Sequence, residues 1–258
     1  MSIDISALIS PISDDAPAGP DLSYEANRQA IEAAFERSVS SDSQGDDEID
    51  WRRTIALIED EAEQTRDLWL AIYLMRAGAK AERLETVEAG AHLLAGLCEN
   101  LWSEVHPKIE DYGFQGRKGA CEALTRLGEF LNPLRNVVLI EHPRLGRFRG
   151  GDFIRFSQNG EAEDGFGMFR ALIQETRDED LQLVIDRLSG IEQAIRRADG
   201  IMTAHADGDT STNFQPTYDA VALLRRNVAA FMRLPTPELA DEGAPATAAT
   251  PGTDLPQA

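Results

Sequence analysis

The chain has 258 residues, with 25 Lys and Arg against 45 Asp and Glu, which gives a formal net charge of -20 at pH 7. This balance disfavours nucleic acids and anionic membrane surfaces, because both are bound through basic side chains. No apolar run approaches the roughly 18 residues of a membrane-spanning helix. The acidic amino terminus also lacks the basic start of a secretory signal. We therefore expect a cytoplasmic protein whose acidity serves either solubility or docking onto a basic protein surface.

The first half of the chain predicts an entry segment followed by helices. Residues 1–23 contain PISDDAPAGPDL, whose three prolines and one glycine predict extended, turn-rich chain and no helix. A helix is predicted next, with one apolar face formed by Tyr24, Ile31, Ala34 and Phe35. The low hydrophobicity and the acids of residues 38–50, SVSSDSQGDDEID, predict a solvated loop.

Residues 50–80 predict a helical hairpin. The spacing of Trp51, Ile55, Ile58 and Ala62 gives one apolar stripe, with Asp50 as the N-cap. The next helix is predicted to begin at Thr65, with Asp67 in its first turn, and to end at Gly78. The short connection between the two helices predicts antiparallel neighbours.

A long helix is predicted from Leu84 to Trp102. Pro107 stops it and moves His106 out of the helical region. The run GFQGRKGA (113–120) predicts a loop with Arg117 near the start of the next helix, which spans residues 120–131.

The second half predicts one β element among further helices. Residues 137–157 have β-branched residues, a Gly-Gly pair and alternating apolar positions, which predict a small hairpin. Helices are predicted over residues 168–176, 181–202 and 218–234, and the Pro- and Ala-rich tail, 235–258, as a disordered linker. The predicted fold is mainly α: one multi-helix domain, residues 1–234, of antiparallel helical hairpins with one small β-hairpin element.

The sequence predicts no catalytic, cofactor-binding or metal site. The four histidines lie far apart and outside HExxH or CxxC spacings, and no P-loop or GxSxG motif is present. Cys98 and Cys121 lie in apolar helical contexts and are predicted to be reduced core residues, with a bridge between them left open. In ENLWSEVHPKIEDYG (99–113), Trp102 is predicted to lie in the core and His106 to hydrogen-bond the last carbonyls of the helix.

The order of several short motifs resembles a known family. Pro11 and Ile12 are followed by PAGPDLSY (17–24), DW (50–51), RDLWLAIYL (66–74) and LWSEVHP (101–107). Together these resemble the ImpA-related N-terminal domain of TssA-type proteins of the bacterial type VI secretion system, over about residues 5–155 and more weakly to 234. The motif residues, which the resemblance implies are mainly structural, are Gly19, Tyr24, Asp50, Trp51, Asp67, Leu68, Trp102, His106, Pro107 and Arg117.

The resemblance implies a helical domain without catalysis or cofactor that helps to assemble the secretion machine. Its expected partners are baseplate, tail-tube, sheath or membrane-complex proteins, with no nucleic acid and no direct membrane insertion. It would be recruited to the apparatus at the inner membrane. Self-association stays open, because the ring-forming C-terminal module of such proteins is not evident here. The alternatives are a general cytoplasmic helical adaptor and a helical hydrolase or transferase with an unrecognised site.

Overall fold

The computed structural model describes residues 4–39, 49–206, 208 and 210–232. Most of the acidic loop and the whole of the predicted tail lie outside these residues. The described part is mainly helical with one two-stranded antiparallel sheet, which confirms the predicted fold class. Its helices are α1 (Ile5–Leu8), α2 (Ala26–Val39), α3 (Trp51–Ala62), α4 (Leu68–Lys80), α5 (Leu84–Leu101), α6 (Ile109–Glu122), α7 (Asn132–Arg135), α8 (Gly150–Asn159), α9 (Phe166–Glu175), α10 (Asp178–Ala204) and α11 (Gln215–Ala229).

The hairpin of α4 and α5 forms the centre of the core. Every α4 residue from Leu68 to Ala79 is buried except the half-buried Trp69. The prediction that Gly78 ends this helix is wrong, because α4 continues to Lys80. Gly78 instead lets the hairpin close: a Cβ there would lie 2.9 Å from the backbone nitrogen of Val87 on α5.

The remaining helices pack on both sides of this hairpin. Asp50 caps α3 as predicted, by accepting a hydrogen bond from the Arg53 amide (3.0 Å). On the other side α10 packs against α5, where Arg187 pairs with Glu88 (3.2 Å). The predicted stripe of α10 is buried throughout and consists of Leu181, Val184, Leu188, Ile191, Ile195 and Met202. Within the described part of the chain, no helix combines the length and apolarity that crossing a membrane requires.

The predicted β-hairpin is present but shorter than expected. Strands β1 (Val138–His142) and β2 (Gly146–Arg149) pair antiparallel. The interpretation of residues 150–157 as strand is wrong, because they form α8. Asp152 accepts a hydrogen bond from the Arg149 amide (2.9 Å) at the start of this helix. Phe153 and Phe156 are both buried, three residues apart on one helical face, where strand alternation would have placed them on opposite faces.

Two further predictions are corrected by the local backbone. Residues 113–120 are not a loop but part of α6, which changes direction at Gly113 (φ 63°, ψ -174°). The predicted helix over residues 120–131 is instead the end of α6, a 3₁₀ turn (Ala123–Thr125) and a π-helical turn (Leu127–Leu131).

The entry segment contains one helical turn, α1, although no helix was predicted there. The Arg66 guanidinium attaches this segment to the helices by donating to the carbonyls of Ser10 (2.7 Å), Ala7 (3.1 Å) and Ala62 (2.6 Å). Tyr24 precedes α2 and is 78% exposed, so it does not share the buried face of Ile31.

Both cysteines are buried and unbridged, as the prediction of reduced core residues required. Burial, which outweighs the charge of the nearby Arg117, raises the pKa of Cys98 to about 12. Neither thiol therefore has the exposed, ionisable character of a reactive cysteine.

We expect Gly90→Ala in α5 to lower the free energy of unfolding by about 1 to 3 kcal/mol. The new Cβ would lie 2.7 Å from Cγ and 2.8 Å from the backbone nitrogen of Met75, so α4 and α5 would have to separate. The matched control is Gly200→Ala in α10, where no atom lies within 4 Å of the new Cβ. It should gain up to about 1 kcal/mol from helix propensity. Urea unfolding measures both, and equal gains would contradict the close packing of α4 on α5.

Candidate functional site

Three segments distant in sequence meet beside the amino terminus of α4. The Arg66 amide donates to the Ala18 carbonyl (2.8 Å), and the His106 amide donates to the Arg66 carbonyl (2.9 Å). The Leu68 amide donates to the His106 carbonyl (2.9 Å), which closes a short parallel bridge between Asp67 and His106. We call residues 18–20, 65–68 and 105–107 the three-segment junction. Its hydrogen bonds join the entry segment to the start of α4 and the chain that leaves α5.

Gly19 and His106 fit each other inside this junction. Gly19 has φ +69°, and a Cβ there would lie 2.5 Å from the Gln64 carbonyl oxygen. The Gly19 carbonyl oxygen lies 3.2 Å from Nε2 of His106. Because a carbonyl oxygen only accepts, the proton in this contact lies on Nε2. Nδ1 has no hydrogen-bond partner among the described residues.

Arg117, and not His106 as predicted, binds the carbonyls at the end of α5. This buried guanidinium donates to the carbonyls of Trp102, Val105 (2.7 Å) and Pro107 (2.9 Å). It also lies 4.5 Å from the centroid of the Trp102 ring, which stacks at 4.8 Å on His205. Trp102 is thus half-buried at the edge of the core, where it covers Arg117.

A buried ion cluster adjoins the junction and shares Asp67 with it. Arg28 of α2 is 1% exposed and pairs with Asp67 (2.7 Å) and with Glu61 of α3 (2.8 Å). The other oxygen of Asp67 caps α4 by accepting from the Trp69 amide (2.8 Å). Burial acts to lower the pKa of Arg28, but the charge and hydrogen bond of Asp67, with the charge of Glu61, raise it overall. Burial raises the pKa of Glu61 despite its Arg28 partner.

An open groove of about 600 Å³ lies above this cluster, between α2, the start of α4 and α6. Tyr24 (78% exposed) and Tyr112 (49% exposed) stand on its rim. Hydrogen bonding to Tyr24, followed by the charge of Tyr24, raises the pKa of Tyr112. The remaining lining residues are Asp21, Ser23, Arg28, Gln29, Glu32, Asp67, Trp69, Tyr73, His106, Pro107, Gln115, Gly116 and Gly119.

The aromatic wall of the groove continues into the core. The ring of Tyr73 lies 5.5 Å from that of Trp69 and 5.2 Å from that of Phe35, which in turn lies 5.2 Å from Trp51. The Tyr73 hydroxyl donates to Glu32 (3.1 Å). Burial, followed by the charge and hydrogen bond of Glu32, raises the pKa of Tyr73, which therefore stays protonated.

The rim of the groove has the features of a protein-binding surface. Ser23 contributes a hydroxyl to the wall, and its Oγ has no hydrogen-bond partner among the described residues. Within the described ranges no three His, Cys, Asp or Glu side chains are grouped to hold a metal ion. The exposed aromatic rim instead resembles the anchors through which proteins bind each other.

The predicted motif residues fall into three groups. Tyr24, Asp67, His106 and Pro107 line the groove. A second group lies next to the groove. Gly19 and Leu68 belong to the three-segment junction, and Trp102 covers Arg117. Asp50 and Trp51 lie farther away, at the start of α3.

Sequence reasoning missed Arg28, Glu61, Trp69, Tyr73 and Tyr112 as parts of the site. Arg28 did leave a signal, because it lies three residues before Ile31, on the buried face of its helix. A charged residue on an apolar stripe predicts a buried ion partner. Tyr112 left no such signal, because its place on the rim depends on the bend at Gly113.

The fold and the groove together define a helical module with an open groove and an exposed aromatic rim. Residues 9–126 match the family described as ImpA, N-terminal, type VI secretion system. This match confirms the predicted resemblance over that part of the chain. Every residue that lines the groove lies within the matched range, residues 9–126.

A solved structure shares the fold beyond the family match. It is the N-terminal domain, including the conserved ImpA_N region, of the TssA component of the type VI secretion system from Burkholderia cenocepacia. The two superpose with a TM-score of 0.70 at 23% identity, over 90% of this chain and 94% of that one. At this identity the likeness establishes the fold. The comparison with curated proteins found no match.

We expect Arg28→Met to lower the free energy of unfolding by about 3 to 5 kcal/mol, because it leaves two buried carboxylates without their shared cation. Urea unfolding at pH 7 measures the loss. The matched control is Arg177→Met, which removes an ion pair with Asp180 from an arginine side chain that is 72% exposed. This control should leave the free energy of unfolding nearly unchanged, because an exposed ion pair is weakened by solvent. Similar losses in both variants would show that the buried cluster has no special structural role.

Proposed function

We propose that the chain is a non-enzymatic assembly component of the bacterial type VI secretion system. The proposal places it in the cytoplasm, recruited to the apparatus at the inner membrane, where it binds a baseplate, tail-tube, sheath or membrane-complex protein. The family match over residues 9–126 supports the secretion system as the setting. The fold shared with a TssA N-terminal domain supports an assembly role.

The observation that carries the binding role is the pair of exposed tyrosines on the groove rim. Tyr24 and Tyr112 together expose large aromatic surface above a wall that already contains Trp69 and Tyr73. These rings leave apolar surface in contact with water, and a bound partner would cover that surface. Tyrosine and tryptophan are also the side chains that most often anchor protein interfaces. The groove is thus our candidate for the docking surface.

In the source bacterium, deletion of the gene should abolish export of the secretion tube protein, and the unaltered gene should restore it. A Tyr24→Ala/Tyr112→Ala gene should restore about a tenth of that export or less, because an aromatic anchor contributes about 2 kcal/mol to an interface. Immunoblotting of the culture medium measures export.

The matched control is Met168→Ala on α9, which removes a 56% exposed apolar side chain outside the groove. It should restore full export. The purified double variant should keep its melting temperature, since changes at exposed side chains alter stability by about 0.5 kcal/mol or less. Undiminished export from the deletion strain would overturn the proposed function. Full export from the double variant would show that the docking surface does not include the two tyrosines.

A further inference from the structure

We infer that the groove receives an arginine side chain from an extended segment of the partner protein. The guanidinium stacks on the exposed rim tyrosines and bonds to carboxylates of the wall. This inference rests on the proposed function, because it names the chemistry of the partner that binds the same groove. It follows from the charges, the hydrogen-bonding capacity and the aromatic surface of the groove.

The charge that the groove offers to a ligand is negative. Asp21 and Glu32 line the groove and carry exposed or half-buried carboxylates. Arg28 also lines it, but its guanidinium is 1% exposed and already pairs with two carboxylates, of Glu61 and Asp67. The local excess of acid agrees with the net charge of -20 of the whole chain. A cationic side chain is therefore favoured here, and an anionic one is repelled.

The free hydrogen-bonding capacity of the groove is mainly that of acceptors. Glu32 uses one oxygen to accept from Tyr73 and makes no other hydrogen bond within the described structure. The exposed Asp21 uses Oδ1 to accept from the Ser23 amide (2.9 Å), which leaves its second carboxylate oxygen open to a ligand. His106 also lines the groove, and its Nδ1 has no hydrogen-bond partner among the described residues. A ligand that supplies several N–H donors would satisfy the free carboxylate oxygens. The guanidinium supplies five donors and accepts nothing.

The rim favours arginine over lysine. A guanidinium is planar and weakly hydrated, so it stacks on aromatic faces better than the compact ammonium does. The same chain uses this contact within its own fold: the guanidinium of Arg117 lies 4.5 Å from the Trp102 centroid, and that of Arg196 lies 4.1 Å from the Tyr218 centroid. Among the described residues, no cation of the chain stacks on the exposed rings of Tyr24 and Tyr112.

The groove volume matches a short segment and not a folded element. About 600 Å³ lies within the range of roughly 300 to 1,000 Å³ that holds a small ligand or a few side chains. An amphipathic helix would have to place apolar residues against the carboxylates of Asp21 and Glu32, at a cost in desolvation. An extended strand that inserts one arginine avoids that cost.

The test uses the full chain and the peptide Ac-Gly-Arg-Gly-Arg-Gly-amide, titrated by ¹⁵N NMR at physiological salt. We expect shifts confined to amides around the groove and to the Trp69 indole. The peptide with lysine in place of both arginines should bind more weakly. The peptide with glutamine in their place should not shift the amide signals of the groove. Equal affinity for the lysine peptide would overturn the assignment to arginine. Shifts spread evenly over the acidic surface would overturn the site.

Neutral isosteres identify the carboxylates that bind. Glu32→Gln and Asp21→Asn should each weaken the arginine peptide about two- to fivefold, the range of a partly exposed ion pair. The matched control is Glu36→Gln, which removes the same charge one turn along α2 from an exposed side chain outside the groove. One helical turn is about 5.4 Å, which is less than the screening length of about 8 Å at this salt, so the control should lose some affinity, but less than Glu32→Gln, whose carboxylate contacts the ligand. Equal losses in Glu32→Gln and Glu36→Gln would contradict a specific site.

The same charge variants separate this inference from the proposed function. In the source bacterium, Asp21→Asn/Glu32→Gln should reduce export of the tube protein, as Tyr24→Ala/Tyr112→Ala does. Full export with the charge variant and lost export with the tyrosine variant would overturn the arginine ligand while the docking groove stands. Undiminished export from the deletion strain would overturn both.

Discussion

The ion pair of Arg28 with Asp67 is the contact on which the site depends. It joins α2 to the start of α4, while the other oxygen of Asp67 caps α4. The backbone on either side of Asp67 also pairs with His106, so the chain at this one residue joins two helices and a loop. Glu61 completes the cluster from α3. The cluster of Arg28, Glu61 and Asp67 forms the floor of the groove. Because buried charges are costly to leave unpaired, we expect the cluster to hold this floor in one geometry.

A fixed floor and an exposed rim suit a surface that binds a partner. The junction behind the floor is stabilised by backbone hydrogen bonds and by two buried arginines, Arg66 and Arg117, whose donors go to carbonyls. Tyr24 and Tyr112, by contrast, are exposed to solvent. A preformed site loses little conformational freedom on binding, and an adaptable rim can adjust to the ligand. The rest of the helical domain supports this surface.

Helical periodicity predicted most of the fold, because the stripes of α3, α5 and α10 each repeat over several turns. It failed where local backbone geometry decides the structure. Alternation in residues 150–157 predicted a strand, but Asp152 starts a helix there and Phe153 packs into the core. The motif residues were identified, yet their meeting at one groove was not. That meeting depends on contacts such as Arg28 with Asp67, 39 residues apart, which spacing along the chain does not reveal.

Native-state hydrogen exchange of the Leu68 and His106 amides tests the central claim most directly. These two amides belong to the three-segment junction, which adjoins the ion cluster at Asp67. If the cluster holds the groove floor in place, both amides exchange only through global unfolding, with the same free energy as the core of α4. Exchange through a local opening several kcal/mol below that value would show a floor that is not preformed, and would contradict the account.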